Sequence, residues 1–328
     1  MSFIETITGI QKNTFGLDIG YQSIKAIQLK KSGNYFKLIA GGTLPSPPNP
    51  FANGRILQQK ELATVIKKAK KDFRISANAA ISALPESTVF TKIIRVPKMT
   101  LEEMENTVPL EVASFIPFEP SQTYIDFQIT NQYDNSYEVL VIAAPKTLVD
   151  DLVATCNLAG IELLCLETKP IANSRALIKP GSQEAIMILD IGARSSSMTV
   201  CEDVVIKFTA TLSLGGKNLQ EVILDITNSS SKTKSQETKK AVTSILDNIA
   251  DKVLDGIKYY QGHKGNKTIS KILVVGGGAK MPGLTRYLTD KIKIKTELGN
   301  PWQMILNPPQ DTSILQATTA IGLAMRQI

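Results

Sequence analysis

The chain has little of the material that common chemistries need. One histidine, His263, lies in a polar Gln-Gly-His-Lys-Gly context, so His-based triads and His-rich metal sites have almost nothing to work with. The three cysteines, Cys156, Cys165 and Cys201, stand singly in apolar surroundings. They have neither metal-knuckle spacing nor the density of a disulfide framework, which leaves buried free thiols. Aromatic residues make up 6% of the chain and none interleaves with the lysine runs, which argues against nucleic acid. No apolar run reaches the length of a membrane-spanning helix. The N-terminus also lacks the basic, apolar and small-residue order of a signal peptide, so the expected location is the cytoplasm.

What is present is a sizeable apolar fraction and a modest excess of positive charge. With 328 residues, 43% of them hydrophobic, the chain can build two domains with separate cores. Its formal charge of +7 suits an anionic surface. Much of the excess, however, sits in solvated runs such as Lys67-Lys68-Ala69-Lys70-Lys71 at the end of a predicted helix, where cations complement the dipole.

The organising feature is a repeat. Phe15-Gly16-Leu17-Asp18-Ile19-Gly20 returns as Ile188-Leu189-Asp190-Ile191-Gly192. Each copy is an apolar strand with one Asp inside it, broken by a Gly that lets the backbone turn sharply. Each continues into a second strand, from Ser23 to Leu29 or from Ser197 to Val200. Two such hairpins offer two carboxylates and two turns whose N–H groups can cradle phosphate, with Mg2+ helped by the carboxylates.

The rest of the chain repeats the plan. Tyr35 to Leu44 is a third strand, Arg55 to Phe73 a helix and Ala79 to Leu84 a buried fourth strand. A Pro45-Ser46-Pro47-Pro48-Asn49-Pro50 loop precedes that helix. In the second half the strands are Lys207 to Leu214 and Ile272 to Val275, the latter ending in Gly276-Gly277-Gly278. A helical stretch from Lys217 to about Leu224 lies between them. These halves predict two related α/β domains with a nucleotide cleft between them.

Between Pro85 and about Gly160 the first half carries an extra α/β unit. It consists of strand Lys92 to Val96, helix Leu101 to Phe115, strands near Tyr124 to Ile129 and Tyr137 to Ala144, and helix Thr147 to Leu158. The second half carries instead a Ser, Thr and Lys stretch, Thr227 to Lys240, which reads as a flexible loop. A helix from about Ala241 to Gln261 follows it, and another runs from Ser313 to Met325. Met1 to Gln11 places Phe3, Ile4, Ile7 and Ile10 at helical spacing.

The two Asp-x-Gly hairpins, with Gly276-Gly277-Gly278-Ala279-Lys280-Met281-Pro282-Gly283, resemble the phosphate 1, phosphate 2 and adenosine motifs of the actin-like ATPase superfamily. Within it the chain is most similar to the PilM family of type IV pilus assembly and next to the FtsA family. The PilM likeness rests on the inserted unit, on Glu111-Val112-Ala113-Ser114-Phe115-Ile116-Pro117-Phe118 within it, and on Asp126-Phe127-Gln128. Ala159-Gly160-Ile161, Ser213-Leu214-Gly215-Gly216 and Asn300-Pro301 add to it.

The resemblance implies an actin-like, ribonuclease H-like α/β fold of two domains with an inter-domain nucleotide cleft and an inserted α/β subdomain in the first. The implied division runs 1–86 for the first domain, 87–160 for the insert, and 161–183 for the return to the first domain. The second domain covers 184–312, with a small subdomain at about 225–269, and 313–328 is a C-terminal helix packing back on the first domain. It also implies ATP and Mg2+ as cofactors. Asp18 and Asp190 would position the metal, mostly through water. Gly20, Tyr21, Gln22 and Ser23, with Gly192 and Ala193, would meet the phosphates, and Lys25 would supply a point charge. Gly215, Gly216 and Asn218 would lie on the ribose and adenine side, and Gly276, Gly277, Gly278 and Met281 would line the nucleoside site.

There are departures. Tyr21 and Gln22 replace the small or hydroxyl residues that usually follow the first Gly, and Arg194 stands where many relatives have a small residue. In Leu166-Glu167-Thr168-Lys169-Pro170, Lys169 occupies a position commonly acidic in the superfamily. A charged lysine cannot accept the proton of an attacking water. The expected activity is therefore ATP binding with at most slow hydrolysis, unless Glu167 substitutes as the catalytic group.

By the same resemblance the chain would be a cytoplasmic adaptor at the inner face of the inner membrane. It would bind the N-terminal cytoplasmic peptide of PilN in a groove beside the inserted subdomain and link the alignment complex to the pilus motor. Contacts with other pilus motor and platform proteins, and self-association, stay open, and membrane attachment would come through partners. Two alternatives remain. An FtsA-like filament protein would normally add an amphipathic C-terminal tether, whereas this chain ends at Gln327-Ile328. A small-molecule kinase would need a substrate-binding carboxylate and specificity loops.

Overall fold

A computed structural model describes residues 13–52, 54–212, 232–262, 267–309 and 317–326. The expected N-terminal helix, His263, the stretch from Lys217 to Leu224 and the motif Ser213-Leu214-Gly215-Gly216 lie outside the described residues. The chain divides into two compact units, residues 1–172, 304–308 and 319–328 in the first and 173–303 and 309–318 in the second.

The first unit is built on a six-stranded sheet. Strand β1 (Thr14–Ile19) pairs antiparallel with β2 (Ser23–Ser32), and β2 with β3 (Tyr35–Pro45). A short β4 (Phe51–Ala52) and β5 (Arg55–Ile56) pair with each other before helix α1 (Gln59–Asp72), so the helix begins later than Arg55. Helix α1 buries Leu62, Ala63, Ile66 and Ala69 and crosses over to β6 (Ala79–Leu84), which runs parallel to β1. Every residue of β1 and β6 is buried, as strands covered on both faces require.

An insertion then interrupts the connection. Strand β7 (Phe90–Pro97), helix α2 (Leu101–Ala113), β8 (Thr123–Gln132) and β9 (Ser136–Pro145) form an antiparallel sheet in the order β7-β9-β8. Its own core joins Val96, Met104, Val108, Val112, Val139 and Val141. Thr100 and Glu103 close a capping box at the start of α2.

Helix α3 (Lys146–Leu158) had been assigned from sequence to this insert. Its Leu148, Leu152 and Cys156 instead join Phe15, Leu17 and Ile66 in the core of the six-stranded sheet. It leads to β10 (Glu162–Thr168), which pairs parallel with β6. Helix α4 (Lys169–Leu177) follows and carries the chain from the first unit to the second.

The second unit rebuilds the same order. Strands β11 (Ala185–Ile191), β12 (Ser196–Glu202) and β13 (Val205–Leu212) form the antiparallel set, then helix α5 (Lys232–Gln261) leads to β14 (Ile269–Val275), parallel to β11. Helix α5 begins at Lys232, so much of the stretch read as a loop is helix. Its lysines, glutamine and glutamate are good helix formers that lack an apolar stripe. Helix α6 (Leu284–Ile292) and β15 (Thr296–Leu298) complete the sheet β13-β12-β11-β14-β15. The first unit reads β3-β2-β1-β6-β10 in the same sense, with β16 (Ile305–Leu306) added beside β3. The insertion thus sits in the crossover from β6 to β10, where the second unit has only α6.

The last described helix, α7 (Thr318–Ala324), carries most of its length in the first unit. It lies so close to β1 and α4 that a Cβ on Gly16 would fall 2.1 Å from the Ala320 carbonyl oxygen. One on Gly322 would fall 1.8 Å from that of Ala172. Small residues are required where backbones meet this closely.

Candidate functional site

Each unit presents one Asp at the end of its first strand, followed by a tight turn. In the first unit the Gly20 N–H donates to the Ser23 carbonyl at 3.0 Å, and in the second the Gly192 N–H donates to Ser195 at 3.0 Å. A Cβ on either glycine would lie within 2.9 Å of the accepting carbonyl, so both turns depend on its absence. The register is also shared: Asp18 stands opposite Lys25 and Asp190 opposite Ser197.

Gly20, Tyr21, Gln22 and Ser23 therefore form one turn. Ser46 braces it, donating from Oγ to the Gly20 carbonyl at 2.6 Å and from its N–H to the Gln22 carbonyl at 3.0 Å. The Tyr21 ring packs edge-on against Phe51, 5.5 Å between centroids, and its hydroxyl lies 3.4 Å from Ser87 Oγ. The departure at Tyr21 thus has a packing reason, and the backbone of the turn is unaffected by it.

Asp18 is 2% exposed and sits between two ammonium groups. Lys25 Nζ donates to Oδ2 at 3.1 Å, and Lys169 Nζ lies 3.4 Å from Oδ1. Oδ1 has no hydrogen-bond partner among the described residues, so Lys169 acts there as a charge only. Burial pushes the Asp18 carboxyl up. Lys169 and then Lys25 outweigh that and hold it below the ordinary carboxylate value. The sequence had marked Lys25 for phosphate; the additional grip of Lys169 on Asp18 was not legible.

Such a donor set does not fit a magnesium ion at Asp18. A divalent cation would approach a carboxylate whose charge two ammonium groups already oppose. Among the described residues no cluster of three His, Cys, Asp or Glu side chains could hold a metal.

Asp190 is built differently. It is half-buried, and Asn173 Nδ2 donates to its Oδ2 at 2.9 Å. Gly276, at φ +85°, comes so near that a Cβ would lie 2.3 Å from Asp190 Oδ1 and 2.6 Å from the Ile191 carbonyl oxygen. Only glycine combines that left-handed backbone with that approach. Gly276, Gly277, Gly278 and Met281 follow β14 in a single short turn, with Met281 packed against the second core. Gly192 and Ala193 begin the hairpin turn beside them in sequence order, and Gly215, Gly216 and Asn218 lie outside the described residues.

Glu167 is 3% exposed at the end of β10, and its carboxylate is ion-paired with Arg326, 159 residues later. A carboxylate neutralised in this way is a weak base. The sequence offered no signal for this partner, since nothing near Arg326 marks it.

A separate cavity of about 470 Å3 opens in the first unit between α3, β8 and β10, lined by Tyr124, Val149, Val153, Leu163 and Leu166 with Asp150 at its border. Strand β8 is an edge of the insert's sheet and β10 an edge of the six-stranded one. The Tyr124 hydroxyl donates to Asp150 at 3.3 Å.

Two sheets of the same strand order, each with an Asp-bearing first hairpin and helical crossovers, define the actin-like ATPase fold. The family model for type IV pilus assembly protein PilM matches residues 16–328, and the chain belongs to that family. It is similar to the solved structure of a PilM-PilN type IV pilus biogenesis complex at 26% identity and a TM-score of 0.84, covering 96% of this chain and 98% of that one. Cell division protein FtsA of Streptococcus pneumoniae is 19% identical over 365 aligned positions, 94% of this chain and 79% of that protein. FtsA of Bacillus subtilis is 20% identical over 206, covering 53% of this chain and 47% of that protein, so the chain spans about half its length.

Proposed function

We propose that this chain is a nucleotide-binding adaptor of type IV pilus assembly that captures the N-terminal cytoplasmic peptide of PilN. The observation that carries this reading is the apolar cavity bordered by two sheet edges in the first unit, in a chain 26% identical to the PilM of a PilM-PilN complex. An extended peptide would place side chains against Val149, Val153 and Leu163 and pair its main chain with an exposed strand edge. The partner would then hold the adaptor at the cytoplasmic face of the inner membrane; no described helix is long and apolar enough to cross a membrane itself.

The nucleotide we assign to ATP, held at its phosphates by the backbones of Gly20, Tyr21, Gln22, Ser23, Gly192 and Ala193 and by Lys25. Gly215, Gly216, Asn218, Gly276, Gly277, Gly278 and Met281 would face the nucleoside. Braced turns with their N–H groups outward are suited to phosphate. Hydrolysis would be slow at most, because Lys169 cannot take a proton while charged and Glu167 is committed to Arg326. The likeness to FtsA over 94% of the chain favours a second reading, an ATP-dependent filament, which sedimentation with ATP would reveal.

The test is anisotropy of a labelled N-terminal PilN peptide titrated with the protein and with Val153→Asp, a cavity residue exposed enough to be changed without unfolding α3. Saturable binding, weakened at least about tenfold by the charge, is expected. A wild-type protein that does not bind the peptide contradicts the adaptor.

A further inference from the structure

We propose that the ammonium of Lys169 takes, at Asp18, the place that a divalent cation would fill, so that this chain binds its nucleotide without magnesium. The inference rests on the nucleotide reading of the Asp18 turn and deepens it. The Asp18 side chain is 3% exposed, and each of its oxygens has an ammonium within 3.4 Å. The three groups together carry one net positive charge in a site with little water to screen it.

A magnesium ion entering beside Asp18 would meet that positive charge, and making room for it would strand one buried ammonium. A hydrated ion would be repelled too, since the interaction falls only with the inverse of distance. Asp190 has one oxygen occupied by Asn173 and the other closely approached by Gly276. It offers a poor substitute for a paired carboxylate site.

What magnesium ordinarily contributes to polyphosphate binding is positive charge against the phosphate oxygens. Lysine supplies charge-assisted hydrogen bonds to the same oxygens. Lys25 projects from β2 beside the turn, and a Cβ on Gly20 would come to 3.6 Å from its Nζ, so the ammonium stands next to the backbone of the phosphate turn. Lys169 opens α4, and Pro170 beside it presets the helical backbone at that point. Asp18 then acts as a positioning residue that holds both lysines.

The experiment is equilibrium binding of a fluorescent ATP analogue, with competition by unlabelled ATP, to the full chain in EDTA and in Mg2+. Wild type and Lys169→Gln are compared. For wild type the two affinities should agree within about threefold, while Lys169→Gln should bind at least about tenfold more tightly with Mg2+ than with EDTA. Lys169→Arg, which keeps the charge, should stay independent of the metal and serves if the glutamine variant fails to fold. A wild-type protein that loses tenfold or more in EDTA overturns the inference and leaves nucleotide binding standing. So does a Lys169→Gln protein indifferent to the metal. Absence of binding in both buffers removes the nucleotide reading together with the inference.

Discussion

The two hairpins share a backbone and differ in charge. Both put an Asp one residue before the last of a buried strand, both close the turn with a Gly N–H to a carbonyl at 3.0 Å, and both place the seventh residue after the Asp directly opposite it. That opposing residue is Lys25 in one and Ser197 in the other. The first carboxylate is consequently buried between two ammonium groups, while the second is half-buried and held by the amide of Asn173. One fold element, used twice, thus yields a cationic turn and a neutral one. The lesson is that the motif specifies the turn and the cross-strand partner specifies its electrostatics.

The comparison can be broken at that partner. Giving the first hairpin the second's residue, Lys25→Ser, leaves Asp18 buried with Lys169 alone. A loss of about 3 kcal/mol is expected from urea unfolding, because removing one member of a buried ion pair costs about 3–5 kcal/mol and Lys169 offsets part of it. Gly276→Ala attacks the second hairpin through sterics, forcing a Cβ against Asp190 Oδ1 at a left-handed φ. It should cost about 2 kcal/mol in the same measurement.

Asn173→Ala removes only a hydrogen bond to a half-exposed carboxylate, and about 1 kcal/mol is expected. A larger loss than for Lys25→Ser would reverse the ranking of the two sites. The smallest effect uses Cys156 in the first core and Cys201 in the second as matched probes of the two units. Burial pushes the Cys156 thiol up to about 12 and raises that of Cys201 further. At pH 8 the thiolate fraction of Cys156 is on the order of one in ten thousand, so neither thiol should react with a disulfide reagent until its unit opens.

Much of this architecture could be read from residues. Phe15 to Gly20 and Ile188 to Gly192 announced their strands and turns, because an apolar run ending in glycine leaves few alternatives. Ala79–Leu84 was placed to the residue for the same reason. The family was legible too, since the motifs occur in order over most of the chain.

What escaped depended on distance in sequence. The equivalence of α3–β10 with α6–β15 was hidden because the insertion separates β6 from α3, and α3 was grouped with the insert it follows. The pairing of Glu167 with Arg326 and the reach of Lys169 to Asp18 exist only once strands and helices are assembled. Helix α5 began early because lysine-rich segments lack the apolar stripe by which helices are recognised.

The central claim is that the lysine-bearing hairpin holds the phosphates of a nucleotide. The direct measurement is the dissociation constant of a fluorescent ATP analogue for wild type and for Lys25→Ser, taken where circular dichroism shows both proteins folded. Saturable binding by wild type, weakened at least about tenfold in Lys25→Ser, is the predicted result. A folded Lys25→Ser protein that binds the analogue as tightly as wild type would contradict the account.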